Sequence, residues 1–294
     1  MVFLLYDLSV VKYDEKDGVV MRCINDRFIT DLRTGCLAFF LEQVKLNRDK
    51  LSLEIRDGYI NIYYKGGNLL KITQKKNGYS FHFDARYCFD KGDDSNYEKL
   101  NALNPSSNHD YIDNFELMMS EMESWLKAHP KKEREFQHDL LVNNSNIIDI
   151  EYATPKSKIT GEKLNMRLDM LMVERDMLII VENKYGIGAI SGNAGVKDHY
   201  DDICKLLNTP DVYDELVQSV LNIAKAKYEL GLIDKPIENI YKGKTEILFL
   251  FADFNQKSDS LKNEIKSMPV TYPYKILFMD GEETIIDFSK VKNI

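Results

Sequence analysis

Cysteine is scarce in this sequence and poorly placed for structural use. Cys23, Cys36, Cys88 and Cys204 are scattered, with no C-x-x-C pair among them. That argues against a disulfide framework or a zinc site and favours reduced thiols in a cytoplasmic protein. Also missing is any charge-free apolar run long enough to span a bilayer, so no membrane partner is expected. The opening MVFLLYDLSVV has no basic stretch and no small-residue cleavage site, so it does not read as a signal peptide. Positive charge is in deficit: the net charge is −8, which counts against a generally basic nucleic-acid-binding surface. Local basic runs remain at residues 71–76 and 131–134. Strong binding to a polyanion then needs divalent cations or a local basic channel. There is no internal repeat and no low-complexity tract. The glycines at 186, 188, 192 and 195 are not spaced as a dinucleotide fingerprint. They read as a flexible loop beside a substrate entrance.

What is present is ordinary globular chemistry. Apolar residues make up 44% of the 294 and charged residues 29%, enough for one large domain or two ordinary ones. Residues 1–34 read as short strands with turns at Asp17-Gly18 and Asn25-Asp26, and residues 34–47 as a short apolar helix. A meander follows over 51–56, 59–65, 68–74 and 79–87. Its turns, Asp57-Gly58, Gly66-Gly67 and Asn77-Gly78, are strong hairpin signals. Residues 90–110 are polar and read as a linker or long loop. Asp113 then caps a helix to about 127, broken by His129-Pro130, and a second helix runs over 131–142. The pattern continues with a strand at 147–152, a hairpin at 166–186, helices at 196–207 and 211–230, and a buried strand at 245–254. Two edge strands are expected within 275–288. The expected class is α/β (α+β overall): an antiparallel, β-rich α+β module over 1–110, then a domain over 111–294 ordered helix, three strands, helix, strand, with a mixed sheet flanked by helices.

The most informative stretch is MRLDMLMVERDMLIIVENKYG, residues 166–186. Glu182 and Lys184 are two apart and share a strand face. With the turn centred on Arg175-Asp176, Glu174 faces Met177, Val173 faces Leu178 and Asp169 faces Glu182. Opposed residues have Cβ atoms about 4.5–5.5 Å apart, so the two carboxylates can meet at one cation. Arg-Asp is a weak two-residue turn, and a four-residue loop on the same centre keeps the pairing.

An acid on one strand and E-x-K on the next, RLDMLMVE followed by LIIVENKYG in that element order, resembles the PD-(D/E)XK nuclease superfamily, the restriction-endonuclease-like fold. The likeness covers roughly residues 130–255 and leaves out the N-terminal module. It implies Asp169 and Glu182 as metal-binding carboxylates, with the Asn183 carbonyl as a further ligand and Mg²⁺ or Mn²⁺ as the ion. It implies that Lys184 orients water and phosphate, and that a helix glutamate joins the site: Glu133, with Glu135 the rival. Lys197 and Tyr200 stand where relatives carry phosphate or substrate contacts, although no Gln occupies the place usual for it. Leu168 replaces the proline that usually precedes the acid. His199 reads as a surface helix histidine. In the meander Tyr59, Tyr63, Tyr64, Tyr79, Phe81 and Phe83 alternate with polar residues, and core packing is preferred over base stacking for them.

Two functions follow. The first is a metal-dependent nuclease cutting phosphodiesters, with DNA preferred over RNA and an endonuclease over an exonuclease. By analogy of fold it would serve in bacterial defence or a restriction-like role, with a homodimer plausible. The second is a non-catalytic nuclease-fold scaffold acting through the N-terminal sheet. Cation-induced stabilisation separates the two.

Overall fold

The computed structural model describes residues 22–88, 95–186, 195–253, 259–268 and 271–293. It is a mixed α/β fold built on two sheets. The strands expected before residue 22, with the Asp17-Gly18 turn, and the loop at Gly188 and Gly192 lie outside the described residues. The described chain opens on helix α1 (Asp26–Arg33). The Asn25 side chain accepts from the Phe28 N–H, and Phe28, Ile29 and Leu32 are buried. Asn25-Asp26 is therefore a helix start and not the turn between strands that was expected. An Asx residue ahead of an acidic first turn satisfies free N–H groups and suits the helix dipole. Helix α2 (Ala38–Leu46) matches the apolar helix expected over 34–47.

Strands β1 (Leu51–Ile55), β2 (Tyr59–Tyr64), β3 (Gly67–Lys75) and β4 (Gly78–His82) form an antiparallel sheet in chain order. One face buries Leu53, Ile55, Ile60, Ile62, Ile72 and Phe81 in a cluster shared with Phe28, Leu32 and Phe40. The stretch read as a linker holds two short helices, α3 (Ser95–Asn101) and α4 (Asn108–Asp113). Burial of Leu100 and Tyr111 in the same cluster holds them there against their polar composition. Helix α5 (Phe115–Ala128) begins after Asn114, one residue later than the expected Asp113 cap. Its Phe115, Met118, Met122 and Leu126 join the cluster too.

Helix α6 (Lys132–Asn143) follows the Pro130 break. The tip of the β2–β3 hairpin seats between α5 and α6. A Cβ on Gly66, whose φ is +77°, would lie 2.6 Å from the Arg134 carbonyl oxygen, and one on Gly67 would lie 2.0 Å from the end of Met122. At Gly66, against backbone and at positive φ, only glycine permits that approach, whereas at Gly67 the end of the Met122 side chain could give way.

The second sheet contains β5 (Ile147–Ala153), β6 (Arg167–Glu174) and β7 (Met177–Tyr185). After helices α7 (Val196–Leu207) and α8 (Pro210–Glu229) come β8 (Glu246–Ala252), helix α9 (Asp259–Ser267), β9 (Tyr274–Met279) and the short β10 (Lys292–Asn293). The order is β10-β9-β8-β7-β6-β5. The β5, β6 and β7 strands are antiparallel neighbours, whereas β7, β8 and β9 run parallel with helices in their crossovers. β9 is thus an inner strand and not one of two edge strands. The unforeseen α9 lies in the crossover that brings it parallel to β8. One face of this sheet packs Phe136 and Leu140 of α6 onto Met170, Met172, Ile179 and Val181. The other face packs α7 and α8 and merges with the core of the meander.

Buried ions tie the N-terminal part of the chain to β5 and α8. Asp149 is fully buried and accepts from Arg22 at 2.5 Å and Arg56 at 2.6 Å. Lys227 of α8 meets Glu54 of β1 at 2.8 Å. Among the described residues no helix is long and apolar enough to cross a membrane.

Candidate functional site

The β6–β7 hairpin carries the three charged residues of interest. Glu174 pairs with Met177, Val173 with Leu178, and the ladder continues to Met170 with Val181. Arg175 and Asp176 form the turn alone, at φ 50° and 62°. Both are positive, as a type I′ turn requires. Asp adopts this region readily and Arg does not. Met172, Val173, Leu178 and Ile179 beside the turn are buried on both sheet faces.

The ladder stops one residue short of Asp169 and Glu182. Asp169 Oδ2 instead accepts the backbone N–H of Asn183 at 2.9 Å. The expected direct opposition of the two carboxylates is therefore replaced by a local parting of the strands. The neighbouring strand is also distorted. Glu151 lies opposite Asp169 on β5 and has φ 54°, in the left-handed region. For a residue other than glycine that costs about 1–2 kcal/mol. Gln137 of α6 donates to the Asp169 carbonyl at 2.8 Å and ties the helix to this point.

Glu182 and Lys184 share a face, as their spacing requires. They are 1% and 4% exposed, and Lys184 Nζ donates to Glu182 Oε1 at 3.0 Å. His199 of α7 places Nδ1 2.6 Å from the same oxygen. Burial alone would raise the Glu182 carboxyl. The hydrogen bond from His199 and the Lys184 charge outweigh it and hold the group below the usual glutamate range. Asp169 goes the other way: burial, then the Glu182 charge, push it well above the aspartate range. Neighbouring carboxyls driven apart in this way make the pair a candidate functional site. Glu182 Oε2 and both polar side-chain atoms of Asn183 are buried with no hydrogen-bond partner.

The remaining candidates divide. Glu133 stands on the same cleft as Asp169 and feels the charges of Lys184 and Glu182, whereas Glu135 acts on Asp139 along the helix. Lys197 is engaged with Asp201 one turn along α7. Tyr200 is fully buried, its hydroxyl donating to the Tyr272 carbonyl and accepting the Tyr272 N–H, both at 2.8 Å. In place of the substrate contact expected for it, Tyr200 anchors the helix. His199 and Gln137 were not among the expected site residues. Gln137 shares the E-x-x-F-Q face with Glu133 at i and i+4, which was a usable signal. The His199 contact joins the consecutive elements β7 and α7 and depends on how the helix is turned against the sheet, which left no local signal. Among the described residues, no three His, Cys, Asp or Glu side chains converge to hold a metal.

A cleft of about 830 Å³ opens in front of Asp169 and Asn183. One wall is the outer face of β2, with Tyr59, Asn61 and Tyr63. The start of α6 forms another, with Lys131, Lys132 and Arg134, which make no ion pair among the described residues. Of the six aromatics noted in the meander, Tyr64, Tyr79, Phe81 and Phe83 are buried in the core, while Tyr59 and Tyr63 face the cleft.

Comparison with protein-family models, with curated proteins and with solved structures finds no match to this chain.

Proposed function

We propose that the protein is a metal-dependent nuclease of restriction-endonuclease-like architecture that hydrolyses phosphodiester bonds, DNA being the preferred substrate. The observation that carries this reading is the unsatisfied polar cluster at the parting of β6 and β7. Glu182 Oε2 and the Asn183 amide are buried without partners beside an aspartate whose ionised form is disfavoured. A hard cation would satisfy the Glu182 oxygen, whereas the Asn183 side chain alternates to the other strand face and carries an amide donor that needs a hydrogen-bonding ligand instead. Mg²⁺ commonly takes only one or two carboxylates and fills its shell with water and substrate phosphate, so Asp169, Glu182 and the Asn183 carbonyl suffice. Bound there, Mg²⁺ or Mn²⁺ would supply positive charge for the phosphate and a water of lowered pKa.

The chain's own residues have distinct tasks. Lys184 holds the Glu182 carboxylate in place and puts an ammonium beside the position of the scissile phosphate. Its acidic neighbours make it an orienting and electrostatic group rather than a base. Gln137 fixes the backbone of Asp169. Glu133 stands at the cleft edge, within reach of a ligand through water.

A second reading has one observation in its favour. His199 and Lys184 already hold Glu182 Oε1 at 2.6 and 3.0 Å, as they would in a metal-free scaffold. Thermal melts and cleavage of plasmid, linear duplex, single-stranded DNA and RNA in Mg²⁺, Mn²⁺ or EDTA discriminate the two. Metal-dependent cleavage lost in Asp169→Ala and Lys184→Ala supports the nuclease. Absence of both cleavage and metal-induced stabilisation refutes it.

A further inference from the structure

We propose that the cleft between the meander and α6 receives a single-stranded stretch of nucleic acid, its bases against Tyr59 and Tyr63 and its phosphates at Lys131 and Arg134. The proposal rests on the nuclease reading and names the form of substrate that reaches the site.

The argument begins with the alternation on β2. Ile60, Ile62 and Tyr64 point into the core, so Tyr59, Asn61 and Tyr63 point out, and they line the cleft that Asp169 and Asn183 also line. The amides in this cleft are incompletely satisfied. Asn61 is 7% exposed and its Oδ1 has no hydrogen-bond partner. Asn68 Oδ1 is in the same state, as are both polar atoms of Asn183. Buried polar groups of native proteins are normally paired, so three amide oxygens and one amide nitrogen without partners around one cavity point to a polar ligand with donors and acceptors of its own. The edges of unpaired bases carry both.

The rings and cations narrow the choice. Lys71 Nζ lies 4.0 Å from the centre of the Tyr59 ring, and the Asn61 amide donates to the Tyr63 hydroxyl at 3.2 Å, so both tyrosines are held by neighbours. Aromatic rings beside a basic track are the recurrent means of binding single strands, because every base has a face to stack. Lys131, Lys132 and Arg134 supply that track in an otherwise acidic protein. A duplex hides its base faces within the stack and could not present them to Tyr59 and Tyr63. The cleft, at about 830 Å³, also falls within the usual range of ligand pockets and accommodates a few nucleotides.

The test is equilibrium binding in EDTA, so that it does not depend on cleavage. Fluorescence anisotropy of labelled 12-mers compares single-stranded DNA, single-stranded RNA and duplex DNA of one sequence. Single strands should bind at least tenfold tighter than duplex, the DNA and RNA arms showing which sugar is preferred. Tyr59→Ala with Tyr63→Ala should weaken single-strand binding about tenfold per ring. Tyr59→Phe with Tyr63→Phe should retain it and guards against a folding defect. Lys131→Gln with Arg134→Gln should flatten the salt dependence. Equal or tighter binding of duplex overturns the proposal, as does unchanged affinity in the folded double-alanine variant. If single strands bind as described and no metal-dependent cleavage is found, the nuclease reading fails while the binding assignment stands.

Discussion

The carboxylate of Asp169 accepts the backbone N–H of Asn183 at 2.9 Å, where β6 leaves β7. An asparagine at 169 could accept the same hydrogen bond without the charge. Folding raises the Asp169 pKa, through burial and then the Glu182 charge, so the ionised form destabilises the fold at neutral pH and stability improves as pH falls into the range where Asp169 takes up its proton. Asp169→Asn should therefore raise thermal stability in EDTA, by about 1–2 kcal/mol. It should also abolish any stabilisation by Mg²⁺ and any metal-dependent cleavage. Paired melts with and without Mg²⁺ read the first two effects, and a plasmid assay reads the third.

Asp149 is the most exacting ion in the protein. It is fully buried and serves two arginines, Arg22 ahead of α1 and Arg56 just after β1. Removing it leaves Arg22 and Arg56 without their counter-ion. Asp149→Ala should cost about 3–5 kcal/mol in urea denaturation. Restoring shape without charge, in Asp149→Leu with Arg56→Leu, should recover part of that loss.

His138 of α6 is 2% exposed, and burial pulls its pKa down to about 4. The unfolded imidazole binds its proton near pH 6.5, well above the folded one, so the unfolded state holds more protons between these values. The His138 contribution to stability should be full above pH 6.5 and fall as pH drops towards 4, by about 3 kcal/mol at the limit. Denaturation midpoints from pH 7.5 to 4.5 should show this slope in the wild type and a reduced slope in His138→Phe.

The turn of the site hairpin is strained by composition. Arg175 at φ 50° is in a region that Asn and Gly favour. Arg175→Asn with Asp176→Gly should stabilise the protein by about 1–2 kcal/mol. Cleavage should be unchanged, because the turn is at the opposite end of the hairpin from Asp169.

The sequence made this hairpin legible because a single polar break, Glu174–Asp176, separates two apolar runs and so places the turn and the register. Asp169, Glu182 and Lys184 broke those runs conspicuously. The local distortion did not show: positive φ at Glu151 has no compositional mark, since glutamate gives no hint of left-handed backbone. Helix α1 was hidden by an ambiguity of asparagine, which serves turns and helix caps alike. Tyr200 and His199 are adjacent on α7, so a helical step of about 100° sends one into the core and the other to Glu182. Which residue faced which way depended on packing against β7 and Tyr272, information that no local pattern contains. The cleft was illegible for the same reason, since its walls come from segments separated by some seventy to one hundred and twenty residues.

The core has no seam near residue 110. Phe115, Met118 and Met122 of α5 are packed with Phe28 and Phe40, and the same cluster runs on to Phe249 and Tyr200. A chain divided there would bare a greasy surface on each piece. The meander is consequently no detachable cassette that could be exchanged between proteins to alter what they bind. Redesign of the wall bearing Tyr59 and Tyr63 has to be carried out with the rest of the molecule in place, and each substitution judged by its effect on the distant half as well as on the ligand.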